Sequence, residues 1–486
     1  MKITRRKMLT HSGIFLLATL CRPVLTFAGK ASTLAMPSMH NQVAKQAMHL
    51  AQGRNVKLTI LFPTGALGNI KPIGEMFTQL TGIHLEYSEV PYAQINTHIM
   101  LSAMAGNAEF DLALPATFAL PDLIESSAVE NLDRFVEKYE PVHFRDDILY
   151  SLGDYYKNHF YGYQTDGDTY LMFYNKAWMR DKTENRIFKE KYGRSLNIPK
   201  TWEELDQMIA FFHRPEKGMY GGSLFRTPDH IAWEWWMRFH AKGYYPLDDS
   251  LKPQINNDAG VKALEELIHV SQFLEPKVDV NGLFENFESF CQGNKFCNIG
   301  WGGSQKYFNR PSSKVRGNLV YSSAPGGIVN DTLIRTPFFN WGWNYTVSSQ
   351  SKEKEIAYLF SLFACSPYVS TVAIREPSGY FDPFRKNHYQ DPEIINTYTK
   401  EFLKAHQESM GRCIPDFYLN GQGEYMGALK ENLISAYQRK QSPKDALDLT
   451  AKQWQRITSK IGAESQKEQW QFLKSSYPSE LRDILV

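Results

Sequence analysis

An α/β fold divided into two or three domain-sized units is what this sequence predicts, on three observations. From Val56 to Leu114 it alternates strand, helix, strand, helix, strand, the pattern of a parallel sheet whose ligand sites lie beyond the carboxyl ends of its strands. The alternation continues to the C-terminus, with no internal repeat or low-complexity tract. And 486 residues are too many for one ordinary core.

Taken in order, Val56–Phe62 (VKLTILF) is a compact β run, followed by the loop Pro63–Gly68 and an amphipathic helix over Ile70–Thr81 that Gly82 closes. A second strand covers Ile83–Val90, a helix runs over about Tyr92–Ala105, and a short buried strand spans Asp111–Leu114. The loop Pro115–Phe118 then falls at a strand end. Helical segments follow around Pro121–Ser126 and in NLDRFVEKY. In the segment His159–Trp178 a polar and aromatic half leads into the β-prone run Tyr170–Tyr174, so a strand carries Asp166 and Asp168 from a loop into a sheet. Pro199–Phe212 is a helix with Thr201 as N-cap and Glu204 completing a capping box. Helices over Ile231–His240 and Ala259–Leu274 precede the segment Phe284–Gly293, the strand Phe296–Trp301, a turn at Pro325–Gly327, the strand Tyr345–Val347 and the helix Lys352–Ala364. From Gln422 onward the chain reads as helix.

Composition is that of a globular protein, 43% hydrophobic and 22% charged, with an unusual aromatic share of 14%, including 10 Trp and 26 Tyr. Residues 1–28 read as an export signal, with basic Lys2, Arg5, Arg6 and Lys7 before the apolar run Ile14–Leu20. TRRKML at Thr4–Leu9 fits a twin-arginine signal, with general secretion the alternative; Cys21 follows Leu20, where a lipidation motif calls for a small residue. Residues 29–54 read as a loosely held extension. Of the 54 Lys and Arg, five lie in residues 1–28 with no acidic group, so the remainder holds 49 against 52 Asp and Glu. That near-neutral balance argues against a nucleic-acid partner. No later run reaches the roughly 18 apolar residues that span a bilayer, so a soluble, periplasmic, monomeric protein is expected. Cys291, Cys297, Cys365 and Cys413 allow two disulfides in an oxidising compartment; Cys291–Cys297 with Cys365–Cys413 is favoured among three pairings. No C-x-x-C occurs, and Asp166-Gly167-Asp168 lacks the twelve-residue calcium pattern, so neither metal nor cofactor is expected.

Five passages in order resemble the extracellular solute-binding proteins of ABC importers, the sugar-binding group that includes maltose-binding protein. They are FTQLTGIHLEY (Phe77–Tyr87), AGNAEFDLAL (Ala105–Leu114), YNK (Tyr174–Lys176) with PKTWEEL (Pro199–Leu205), FCNIGW before APGG (Ala324–Gly327), and SPKDALDLTAKQW (Ser442–Trp454). The resemblance covers about Val56–Gly462. It implies a two-lobed periplasmic-binding-protein fold, type II-like, with residues 55–165 and 326–378 in lobe 1 and 166–325 and 379–486 in lobe 2. It also implies a hinge, a small-molecule ligand held between the lobes, and an ABC permease in the inner membrane as partner. An exported carbohydrate-active enzyme and a ligand sensor signalling to a membrane receptor are the alternatives.

The same resemblance places Asp168 at the crossing between lobes, with Asp166 beside it, and matches Trp301 to the aromatic that closes its strand; Tyr163 is a further candidate from the polar and aromatic half of the same segment. Tyr425, flanked by Gln422, matches an aromatic near the start of a late helix, and Thr64 and Thr117 lie in the two strand-end loops. On the residues alone, carboxylates accept sugar hydroxyls, and Trp301, Trp341 and Trp343 offer flat faces to sugar C–H groups. Trp233, Trp235 and Trp236 cannot all face one way on a helix; Trp236 is the chosen cleft residue, with Trp235 next. Arg385, in FDPFRKN, could pair a ligand anion or a structural carboxylate.

Overall fold

Parallel pairing of Lys57–Pro63 with His84–Val90 over seven residues, from Lys57 opposite His84 to Pro63 opposite Val90, starts the first sheet in the computed structural model, which describes residues 39–486. Leu112–Ala113 joins Lys57–Pro63 on its other side, also parallel, and Asn344–Val347 and then Gly162–Gln164 extend the sheet antiparallel. The helices Leu67–Thr81 and Ile95–Met104 make the crossovers. Gly82 ends the first of them at φ 74°, donating its N–H to Thr78 O, a left-handed cap that costs glycine little.

A second sheet has Leu171–Asn175 and Lys295–Gly300 at its centre, paired antiparallel, with Leu319–Ser323 and Tyr220–Ser223 at its edges. Both central strands are buried along their whole length; Leu171–Tyr174 is an unbroken apolar run, whereas Lys295 and Asn298 of the other strand are paired with Glu275 and Asn286. The edge strand YGGS is barely visible in the sequence. Its Gly221 lies so close to Ile209 that a Cβ would meet the backbone oxygen at 2.3 Å. Thr201 caps the helix Trp202–Phe212 through Glu204 N–H, while the Glu204 carboxylate reaches Lys200 N–H.

Two segments run side by side between the sheets. Thr165 N–H donates to Trp343 O, Asn340 N–H to Asp168 O, and Tyr170 N–H to Phe338 O, so residues 165–170 and 338–343 form paired crossings. The hairpin Gly327–Val329/Thr332–Ile334 lies on the second sheet's side, where Gly326 exchanges bonds with Lys200 and Trp202. The return to the first sheet therefore comes after residue 334, later than the expected 326.

Residues 1–28, read as a signal, and 29–38 lie outside the described residues. From residue 39 the expected loose extension is instead the helix Met39–Ala51, whose Val43, Ala44 and Ala47 pack on the helix Lys354–Ala364. Small apolar side chains at helical spacing carry that contact.

The expected disulfides are absent: Cys291, Cys297, Cys365 and Cys413 are free, buried thiols. Each is engaged separately. Cys291 Sγ donates to Tyr307 O, Cys297 Sγ to Gly221 O, Cys365 Sγ to Tyr163 O, and Cys413 Sγ to Ser409 O at 3.1 Å, and burial pushes the Cys413 thiol up to about 12. Cys291 ends a helix and Cys297 sits inside a strand, so six residues of separation do not bring their sulfurs together. Among the described residues no single helix is long and apolar enough to cross a membrane.

Candidate functional site

A cavity of about 340 Å³ opens at the carboxyl ends of Lys57–Pro63 and His84–Val90, where the parallel-sheet rule places a ligand. The first sheet's side contributes Thr64, Tyr92, Ser378 and Tyr380; the second sheet's side contributes Trp233, Phe287, Trp301, Lys306 and Tyr307; Asp168, Trp341 and Trp343 come from the crossings. The walls therefore belong to both halves of the molecule.

Of the expected ligand residues, Thr64, Asp168, Trp301, Trp341 and Trp343 line this cavity. The others do not, and each has a structural occupation. Thr117 is buried with its hydroxyl on Asn344 Oδ1 at 2.6 Å. Tyr163 donates to Glu140 Oε2 at 2.6 Å and meets the Tyr358 hydroxyl. Asp166 is buried beneath Asp168, accepting Asp382 N–H at 2.6 Å. Trp236 is fully enclosed, its Nε1 aimed at Pro415 O; Trp233, one helical turn back, is the ring that reaches the cavity. Arg385 is a buried strut that pairs with Asp147 and donates to Phe144 O and Cys365 O. Gln422 bonds Asp416, and Tyr425 packs on Trp454 with its hydroxyl against Thr458 Oγ1 at 2.7 Å.

Beyond Trp233, sequence reasoning missed Tyr92, Lys306, Tyr307, Tyr380 and Asp382. Lys306 was within reach of inference: it lies on the helix Gly302–Asn309 that begins right after Trp301. A Cβ on Gly302 would stand 2.3 Å from Asp382 Oδ1, so glycine is what lets that carboxylate tuck against the helix start.

Asp166, Asp168 and Asp382 form a buried triad whose ligand-type oxygens all lie within 4.8 Å of one another, the group among the described residues that could surround a cation. Asp168 Oδ2 accepts Gly342 N–H at 3.1 Å, and Asp382 Oδ1 accepts the Tyr398 hydroxyl at 3.0 Å. Asp166 Oδ2 and Asp382 Oδ2 find no partner in the protein. Burial, reinforced by Asp168 and Asp382, holds Asp166 well above the usual carboxylate range, and burial with Asp382 does the same to Asp168. Burial raises Asp382 to about 7 against the pull of Lys306, which burial in turn lowers to about 8. Crowded carboxylates share protons rather than all ionise.

These shifts set a pH dependence. Between the ordinary aspartate value of 3.8 and about 7, the folded state holds more protons at Asp382 than the unfolded chain does, so stability falls as pH rises through that window. Without ligand, the protein is expected to be more stable at about pH 5 than at about pH 7, and Asp382→Asn should flatten the slope by up to about 1.4 kcal/mol per pH unit. Urea unfolding at the two pH values measures both; identical slopes in the two proteins would show that Asp382 does not titrate in this window.

The sequence model for bacterial extracellular solute-binding protein matches residues 73–401. A probable amino-acid ABC transporter periplasmic-binding protein of Sinorhizobium fredii, y4oP, is 24% identical over 348 residues, covering 70% of this chain and 75% of its own. Among solved structures, an ABC transporter solute-binding protein from Agrobacterium radiobacter K84 in complex with ribitol superposes with a TM-score of 0.71 at 20% identity, covering 83% of this chain and 98% of the other. Maltose-bound MalE3 of T. maritima gives 0.70 at 18% identity, covering 83% and 100%. The fold is the two-lobed one of periplasmic binding proteins.

Proposed function

Because the chain belongs to the bacterial extracellular solute-binding protein family, we propose that it is the exported, periplasmic capture component of an ABC importer. It binds a sugar or related polar small molecule by hinge closure and presents the closed form to an inner-membrane permease. It works as a monomer and makes or breaks no bond. The observation that carries this reading is the cavity itself, walled by both lobes across the paired crossings at 165–170 and 338–343. A ligand touching both walls contacts the closed state more than the open one, and that difference is what drives closure. Asp122 adds a latch, accepting Gly421 and Gly423 N–H groups at 2.5 and 3.0 Å at the start of the helix Gln422–Tyr437. The ribitol and maltose in the two similar structures support a hydroxyl-bearing ligand.

Thermal unfolding against a panel of sugars, polyols, amino sugars and amino acids tests the reading. One class is expected to stabilise the protein, by about 2.7 kcal/mol at a hundredfold excess over Kd, with the ligand recovered chemically unchanged. Conversion of the ligand would make the protein an enzyme, and a flat response across every class would remove the capture role.

A further inference from the structure

Resting on the capture reading above, we infer that the solute carries an ammonium group, seated against Asp168 in the corner made by Trp233, Trp301 and Trp341. The shape of the aromatic wall is the first argument. Trp233 meets Trp301 at 80° and Trp341 at 82°, with centroids 5.4 Å apart in both pairs, and Trp341 meets Tyr92 at 62° and Trp343 at 63°. A sugar's flat C–H face is matched by one open ring, whereas rings set nearly at right angles enclose a compact, rounded group. The negative faces of such rings favour a cation.

Charge is the second argument. Asp168 reaches this corner through Gly342, the residue between Trp341 and Trp343, and is backed by Asp166 and Asp382. Lys306 is the cation beside the three carboxylates, and its Nζ donates to Glu376 O and Phe381 O instead of to any of them. Arg310 is paired with Glu288. Lys430, with Nζ 5.9 Å from the Trp233 centroid, faces Asp229 and Asp416, and His230 is buried and held neutral at this wall. The three carboxyl groups at this wall thus outnumber the one cation beside them and share protons that an ammonium group would displace.

Backbone strain is the third. Trp341 is held at φ 84°, a conformation that a bulky L-residue adopts only under constraint, and this turn is what presents Gly342 N–H to Asp168. Meanwhile the Trp341 and Trp343 Nε1 groups and the Tyr380 hydroxyl, all at the cavity, have no partner in the protein. Their rings form the wall that the rest of the solute meets. An amino sugar, an amino alcohol and an amino acid all share this chemistry.

Titration calorimetry with the mature protein separates these sources and tests the class. The probes are D-glucose against D-glucosamine, ribitol against choline, and a set of neutral and basic amino acids, followed by a broad library of sugars and polyols. At least one ammonium-bearing probe is expected to bind about 30-fold more tightly than any neutral counterpart. Its binding should release protons, seen as heats that vary with the buffer's ionisation enthalpy, and Asp168→Asn should abolish both the ammonium preference and the proton release. Tightest binding by a neutral sugar, with no preference for any ammonium probe, would overturn the ammonium assignment and leave the capture role standing. Stabilisation by calcium ions alone, lost in Asp382→Asn, would assign the carboxylate triad to a metal and overturn it too. Binding of no probe of any class would remove the capture role along with it.

Discussion

Replacing Glu234 by Ala is expected to destabilise the protein by about 3–5 kcal/mol, the cost of leaving buried charge unpaired. Glu234 lies on the helix Ile231–His240, every residue of which is buried. A helix enclosed on all sides must pair its own charges. Glu234 Oε2 accepts Arg226 Nη1 at 2.7 Å and its Oε1 accepts Arg238 Nε at 2.8 Å, and both arginines are wholly buried. Although burial opposes ionisation, Arg226 and Arg238 hold the Glu234 carboxyl below the ordinary glutamate range. The two arginines would suffer unequally. Arg238 keeps Asp206 at 2.6 and 2.8 Å, whereas Arg226 falls back on Ser271 Oγ and Phe225 O. Glu234→Gln, which preserves volume and one acceptor, should cost less. The measurement is the shift in urea midpoint at constant m-value; a loss below about 1 kcal/mol would mean that the arginines find other partners or water.

The same helix shows what the sequence could and could not reveal. IAWEWWMRFH announces a helix with too many large rings for one face, but which ring reaches the cavity depends on how the helix is rotated against its neighbours. Phe338, Phe417 and the chain at Pro415 enclose Trp236, leaving Trp233 for the cavity. Strands with long apolar runs, such as Lys57–Pro63 and Leu171–Asn175, were legible because burial on both faces writes itself into composition. Gly162–Gln164 and Tyr220–Ser223 were not, since partners far along the chain make them strands. Asp168 was legible through the resemblance, together with the ring of Trp301. Asp382 was not, because it lies 216 residues from Asp166 and only folding makes them neighbours. Of the two occupations open to Arg385 the structure takes the structural one: two backbone carbonyls and Asp147 absorb its guanidinium before any ligand could.

Trp301→Ala is expected to lower ligand affinity at least about 100-fold and to destabilise the unliganded protein by about 3 kcal/mol. Both effects follow from one position. The ring faces the cavity, but it also packs against Tyr170 at 4.7 Å and Trp233 at 5.4 Å, and its Nε1 donates to Asn340 O at 3.0 Å. Asn340 belongs to the crossing pair, where its N–H is bonded to Asp168 O. The indole of one lobe therefore fixes the height of the hinge strand that carries the carboxylate's partner. Truncation removes a wall of the cavity and loosens the geometry of Asp168 at once, so affinity and stability fall together. Two further variants separate these contributions. Trp301→Phe keeps apolar surface and loses the Asn340 bond, and should show a smaller affinity loss. Trp236→Phe removes a fully buried ring that does not line the cavity, and should lower stability while leaving Kd within about threefold. Calorimetric Kd values and unfolding midpoints for the three proteins decide it: an affinity loss in Trp236→Phe equal to that in Trp301→Phe would mean that binding tracks global stability and that this cavity is not where the solute sits.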